Sequence, residues 1–110
     1  MGGNRRYPYH AGRLAQEREL REARARGPLQ TLTDEQLAIG SRVVSIAPDD
    51  TALWARAWLR FGDVDVRATV RVLRWTNDAV GVAVDVDGER LRCWVWQGAV
   101  TRIASQDAEW

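Results

Sequence analysis

From Leu53 to Trp96 apolar and polar side chains alternate with a period of two, the spacing that sends successive residues to opposite faces of a β-strand. Two breaks in the alternation carry turn chemistry. Gly62-Asp63 suits a two-residue hairpin turn and pairs Phe61 with Val64, Leu59 with Val66, Ala57 with Ala68, Ala55 with Val70 and Leu53 with Val72. Asp87-Gly88 is the stronger hairpin signal and pairs Val84 with Leu91, Val82 with Cys93 and Val80 with Val95. A three-residue loop, Thr76-Asn77-Asp78, joins the hairpins and sets Val72 against Val82 and Trp75 against Ala79. The register therefore predicts a four-stranded antiparallel meander with one apolar face.

A sheet face this apolar must be covered. Val43, Val44 and Ile46, in a short strand over 42–47, precede the meander, and Val100 and Ile103 follow it through the turn Gln97-Gly98-Ala99. Closing the sheet with these segments predicts a mainly β protein, a small antiparallel barrel of five or six strands and roughly 60 residues of the SH3-like kind. Upstream, Thr33 and Gln36 form a capping box and Leu32 can staple onto Leu37, so a short helix is predicted from Asp34 to about Ile39, ended by Gly40. Residues 11–26 are strong helix formers with Glu17/Arg21 and Glu22/Arg26 at i, i+4 spacing, and Gly27-Pro28 supplies the stop. Leu14, Leu20 and alanines are its whole apolar content, so this helix is expected to project or to lie loosely on the body. The expected organisation is a flexible basic lead (1–10), a charged helical arm (11–27), a linker with the short helix (28–41), the barrel (42–104) and a tail (105–110).

The same register sorts the other side of the sheet. Trp54 neighbours Arg71, which neighbours Ala83 and then Arg92; Leu73 neighbours Gly81 and then Trp94; Trp75 neighbours Ala79 and then Trp96. Ala79, Gly81 and Ala83 would floor a shallow trough between Leu73 and Trp75 on one bank and Trp94 and Trp96 on the other. Arg56, Arg60, Arg67, Arg71, Arg90 and Arg92 against Asp65 and Asp85 make this face locally near +4. Three readings stand beside one another. Tryptophan and arginine anchor protein interfaces, they form stacking platforms for single-stranded nucleic acid, and they also stabilise sheets as ordinary cross-strand pairs, with Leu32, Leu37 and Ile39 able to fill the trough from within.

Composition adds an asymmetry. All 16 basic residues are arginine; residues 1–30 hold seven against three acids (+4), and residues 31–110 hold nine against twelve (−3). A basic arm thus precedes an acidic body, and Arg5, Arg6, Arg13, Arg18, Arg21 and Arg24 are placed to steer it toward an acidic partner. Length and composition fit one globular domain. No apolar run approaches the roughly 18 residues of a membrane span, and the polar N-terminus lacks a signal peptide's hydrophobic stretch, so the expected location is cytoplasmic. Cys93 is alone and His10 is the sole histidine, which excludes an internal disulfide and zinc sites of ordinary type. Ser41, Ser45 and Ser105 have no base at a recognisable spacing, and no glycine-rich phosphate loop opens a helix. The pairs Asp49/Asp50, Asp63/Asp65 and Asp85/Asp87 with Glu89 read as solvated turns. No catalytic residue, metal or cofactor is therefore expected, and no enzyme.

The Arg-rich lead with its Tyr-Pro, the Thr33–Gln36 capping box and the closing run from Arg92 to Val100 (RCWVWQGAV) together resemble the short uncharacterised proteins of actinobacteria and their phages. That resemblance implies a small accessory or regulatory binder. The sequence thus points to a non-enzymatic binding module whose face is Trp54, Arg71, Leu73, Trp75, Gly81, Arg92, Trp94 and Trp96. A protein partner leads, nucleic acid on the same face is the alternative, and homo-oligomerisation through the trough is a third reading; a membrane partner is not expected.

Overall fold

A computed structural model describes residues 7–104 of the chain. In chain order its elements are α1 (Tyr7–Arg26), α2 (Asp34–Leu37), a 3-10 turn (Ile39–Ser41), β1 (Ser45–Ile46), β2 (Leu53–Phe61), β3 (Val64–Trp75), β4 (Ala79–Val86), β5 (Glu89–Trp96), a second 3-10 turn (Gln97–Ala99) and β6 (Val100–Ile103). Both hairpin turns form where their residues demand. Gly62 has φ +58° at the first central position of one, and Asp87 (+51°) and Gly88 (+77°) are both left-handed in the other, the backbone that two-residue hairpins require. The predicted pairings follow from Phe61↔Val64 to Leu53↔Val72 and from Val86↔Glu89 to Val80↔Val95.

All six strands are antiparallel members of one sheet, ordered β5-β4-β3-β2-β6, with β1 pairing β3. The sheet stays open: β5 and β6 are its two edges, and they do not pair with each other. One face supplies nearly all of the core, including Ala55, Ala57, Leu59, Phe61, Val70, Val82 and Val86, with Leu29, Leu53, Val64, Leu91, Val95 and Val100 packed partly buried around it. A single sheet can bury one of its own faces this thoroughly only by curling around it.

The N-terminal helix corrects the expected loose arm. α1 begins at Tyr7, four residues earlier than expected, and packs into the sheet, with Leu20 and Ala23 essentially inaccessible. The reason lies in the ladder. Pairing of β3 with β4 begins at Arg71↔Ala83, so the first half of β3 and the end of β4 part company, leaving a wedge. Gln16, Leu20, Ala23 and Gly27 recur at i, i+4, i+7 and i+11, one narrow face of a helix. Gln16 takes the ladder position that β4 vacates: its Oε1 accepts from the Thr69 amide at 2.8 Å and its Nε2 donates to the Thr69 carbonyl at 3.1 Å. Below it Leu20 and Ala23 complete the core, and a Cβ on Gly27 would lie 2.6 Å from Gly62 Cα, so helix end and hairpin turn meet backbone to backbone. A narrow stripe suffices because the helix plugs a gap instead of roofing a sheet. Leu14 remains exposed.

The linker then binds the ends together. Pro28 O accepts from Gly62 N, Leu29 bridges Phe61, Gln30 N donates to Arg60 O, and at the far edge Leu32 N donates to Trp94 O while Trp94 N donates to Thr31 Oγ1. The capping box forms as predicted, with Gln36 N donating to Thr33 Oγ1 and Thr33 N to Gln36 Oε1. α2 is shorter than expected, because Ala38 (φ +50°) turns the chain into the 3-10 turn. The strand expected over 42–47 is reduced to Ser45–Ile46, and Val43 and Ile46 face solvent instead of the core. Of the C-terminal closers, Val100 packs on the core, but Ile103 lies opposite Trp54 on the outer face; residues three apart on a strand point in opposite directions. The lead 1–6, with Arg5 and Arg6, and the tail 105–110 lie outside the described residues.

Two outcomes check this packing. Leu20→Ala is expected to lower the unfolding free energy in urea by about 2–5 kcal/mol, whereas Arg18→Ala, on the exposed side of α1, changes it by less than about 0.5 kcal/mol; equal, small effects would mean a helix that does not plug the wedge. Burial pushes the Cys93 thiol up from 9.0 to about 11. Because the folded chain then holds this proton to higher pH than the unfolded chain, the group's contribution is complete below pH 9 and is lost as pH rises toward about 11. Iodoacetamide at pH 8 is expected to alkylate the native chain at least about tenfold more slowly than the urea-unfolded chain.

Candidate binding face and the mouth of the sheet

Alternation along the strands sends Trp54, Arg56 and Trp58 of β2, Arg67 and Arg71 of β3, Ala79, Gly81 and Ala83 of β4, and Arg92, Trp94 and Trp96 of β5 to the outer face. One complete row runs Ile103, Trp54, Arg71, Ala83, Arg92, as the register predicted from Trp54 onward. The next rows differ. A β-bulge between Val72 and Arg74 leaves Leu73 without a partner on β4, so the neighbours are Arg74↔Gly81↔Trp94 and Trp75↔Val80. Trp75 consequently turns inward and packs partly buried against the core, and not on the outer bank that an unbroken register predicts for it. Its expected position beside Ala79 and Trp96 is empty of tryptophan, and Arg74 fills the bank that Leu73 was to hold.

The physical reason is the charge on Arg74. Unbroken alternation from Val70 would drive Arg74 onto the buried face, and one extra residue at Leu73 returns the guanidinium to water while taking Trp75 into the interior. On the outer face a Cβ at Gly81 would meet Arg74 Cγ at 3.1 Å and the Trp94 ring at 3.3 Å, so the floor of the trough is glycine because its banks close over it. Ala79, Gly81 and Ala83 are all buried. Of the residues expected to fill the trough, Leu37 is buried and Leu32 half-buried, while Ile39 is exposed.

Charge divides this face into satisfied and free groups. Arg60 pairs with Asp65 (3.1 Å) and Arg90 with Asp85 (3.2 Å), while Arg42 pairs with Asp78 beside Ala79. Three of the arm's arginines are paired within the molecule: Arg21 with Asp87 at 2.8 Å, Arg24 with Glu89, and Arg13 with Glu17 at 4.0 Å. Among the described residues Arg71, Arg74 and Arg92 have no acidic partner within 4.0 Å. Arg71 and Trp54 also line a cleft of about 350 Å³ that Arg13, Glu17, Asp85 and Arg90 help to enclose. At the end of the sheet marked by Arg74 and Ala79, Val43 (86% exposed), Ile46 (68%) and Trp96 (46%) leave apolar surface in water.

A second recess opens on the inner side. Leu53, Val72, Trp75, Val80 and Val100 line a cavity of about 200 Å³ at the end of the sheet away from Gly62 and Asp87, with Arg102 at its rim. Ala55↔Arg102 and Ala57↔Val100 show that Arg102 shares the inner face, a position not singled out by the sequence reading. Its signal was the run Val100-Thr101-Arg102-Ile103, which alternates toward arginine on the covered side. Among the described residues no group of three or more His, Cys, Asp or Glu is gathered to hold a metal ion, and no helix is long and apolar enough to cross a membrane. Compared with protein-family models, curated proteins and solved structures, the chain matches none.

Proposed function

We propose that the chain is a small binding module that engages a protein partner through its outer Trp/Arg face and performs no chemistry of its own. The observation that carries this reading is the set of guanidinium groups of Arg71, Arg74 and Arg92, without an acidic partner among the described residues, interleaved with Trp54, Trp94 and Trp96 and bordered by exposed Val43 and Ile46. Tryptophan and arginine are the side chains that lose most when truncated at interfaces, and aliphatic groups at the border gain from a protein surface. Those aliphatics favour protein over nucleic acid, because they offer no stacking plane to a base. The commitment of Arg21 and Arg24 to Asp87 and Glu89 further reduces the charge left for a phosphate backbone. The module would work in the cytoplasm as an accessory factor of a bacterium or its phage, its curled sheet serving as an incompletely closed barrel of SH3-like type.

Cross-linked capture from an extract of the source organism, with mass spectrometry, is expected to recover a specific protein at about 0.15 M salt with the wild-type chain and to lose it with Trp96→Ala or Arg92→Glu. Single- and double-stranded oligonucleotides are expected to give no electrophoretic shift even at low salt. A shift that falls log-linearly with salt would overturn the protein reading in favour of nucleic acid. A concentration-dependent dimer in sedimentation that Trp94→Ala with Trp96→Ala abolishes would replace it with self-association.

A further inference from the structure

The open gap between β6 and β5 is the least finished part of the molecule. The β5 edge is covered at Trp94 by Thr31 and Leu32, and the wedge between β3 and β4 by α1. Among the described residues β6 pairs only with β2, which leaves its other edge without a strand. An uncovered edge is a template for another extended chain. Beside that edge lies the cavity walled by Val72, Trp75, Val80 and Val100. At about 200 Å³ it falls below the size of ordinary small-molecule sites, about 300–1,000 Å³, and suits one bulky side chain. No acid lines it; its one charged group is Arg102, which has no ion pair among the described residues.

We propose that this mouth receives an extended segment of the protein partner, which adds to β6 as a further strand, inserts one bulky apolar side chain against Trp75 and sets a carboxylate on Arg102. The assignment rests on the protein-binding reading above and names the part of the partner that reading leaves open. Backbone pairing along β6 supplies attachment without sequence preference, and the cavity selects a large apolar residue. Arg102 supplies discrimination: an inward-pointing charge on an edge strand is left buried and unpaired by a wholly apolar strand, and is neutralised by an acidic one.

The test uses the full ¹⁵N-labelled chain and three peptides: acetyl-Thr-Glu-Thr-Leu-Thr-Glu-Thr-amide, the same peptide with Gln for both Glu, and the same peptide with Ala for Leu. Alternation puts the Leu and the two Glu of the first peptide on one face of a strand. The first peptide is expected to shift the amides of Thr101, Arg102 and Ile103 and the indole of Trp75, and to bind at least about threefold more tightly than either of the others. In Arg102→Gln the preference for Glu over Gln is expected to vanish, and Arg102→Lys to restore it. No shifts at these positions, or a preference that survives Arg102→Gln, would overturn the assignment; capture of a partner that depends on Trp96 in the same preparation would show that the broader reading outlives it. Binding that emerges only after Trp110→Ala would assign the mouth to this chain's own C-terminus and overturn the partner assignment as well.

Discussion

The constraint on which this fold depends is a sheet with one almost wholly apolar face and, among the described residues, no second sheet to lay against it. Curling brings the inner residues of β2 to β5 into one cluster, but a short, strongly curled sheet cannot keep every ladder intact. Here the break falls between β3 and β4 beyond Arg71↔Ala83. What enters the break must satisfy the exposed strand backbone and fill the space beneath it. A single helical face meets both needs, with an amide side chain bonded to Thr69 and Leu20 and Ala23 below it. An unsatisfied backbone pair at such a site costs roughly 1–3 kcal/mol per group. The charged helix is therefore an internal component of the fold, and its arginines hold it to the β4–β5 turn.

Much of the sheet was legible because turn residues and a period of two constrain register jointly. Gly62-Asp63 and Asp87-Gly88 fix four strands, and the alternation within them names the core. The parts that escaped are those in which a local rule yields to a distant one. The wedge is invisible in β3 and β4 themselves, since nothing in Val64 to Val70 announces the missing neighbour. A trace does exist in α1, where Gln16, Leu20, Ala23 and Gly27 share a face otherwise free of charge. The bulge at Leu73 left a plainer sign: strict alternation sends Arg74 inside, and a buried, unpaired guanidinium is too costly to keep. At β6 the period of two alone forbids Val100 and Ile103 from covering the same core.

The bulge also changes the chemical character of both faces at once. It removes a tryptophan from the outer trough and substitutes a guanidinium over Gly81, so the outer face becomes more basic and less apolar than an unbroken register would make it. The same step delivers an indole to the inner mouth, where it meets the valines of β3, β4 and β6. One extra backbone residue thus separates a charged aromatic surface from a small apolar recess within a sheet only a few residues long at that end. The two surfaces share no side chain.

The backbone contact between Gly27 and Gly62 bears on how the chain comes to be assembled. α1 leaves the ribosome before everything it fits against: the hairpin turn at Gly62, the Thr69 backbone, and finally Asp87 and Glu89. At elongation rates of about 5–20 residues per second, the helix waits several seconds for its seat. During that interval Leu20 and Ala23 have no groove to enter, and the dense charge around them keeps the nascent segment dispersed. The polarity that disguises the helix as a free arm is thus also what lets it survive until the last hairpin emerges.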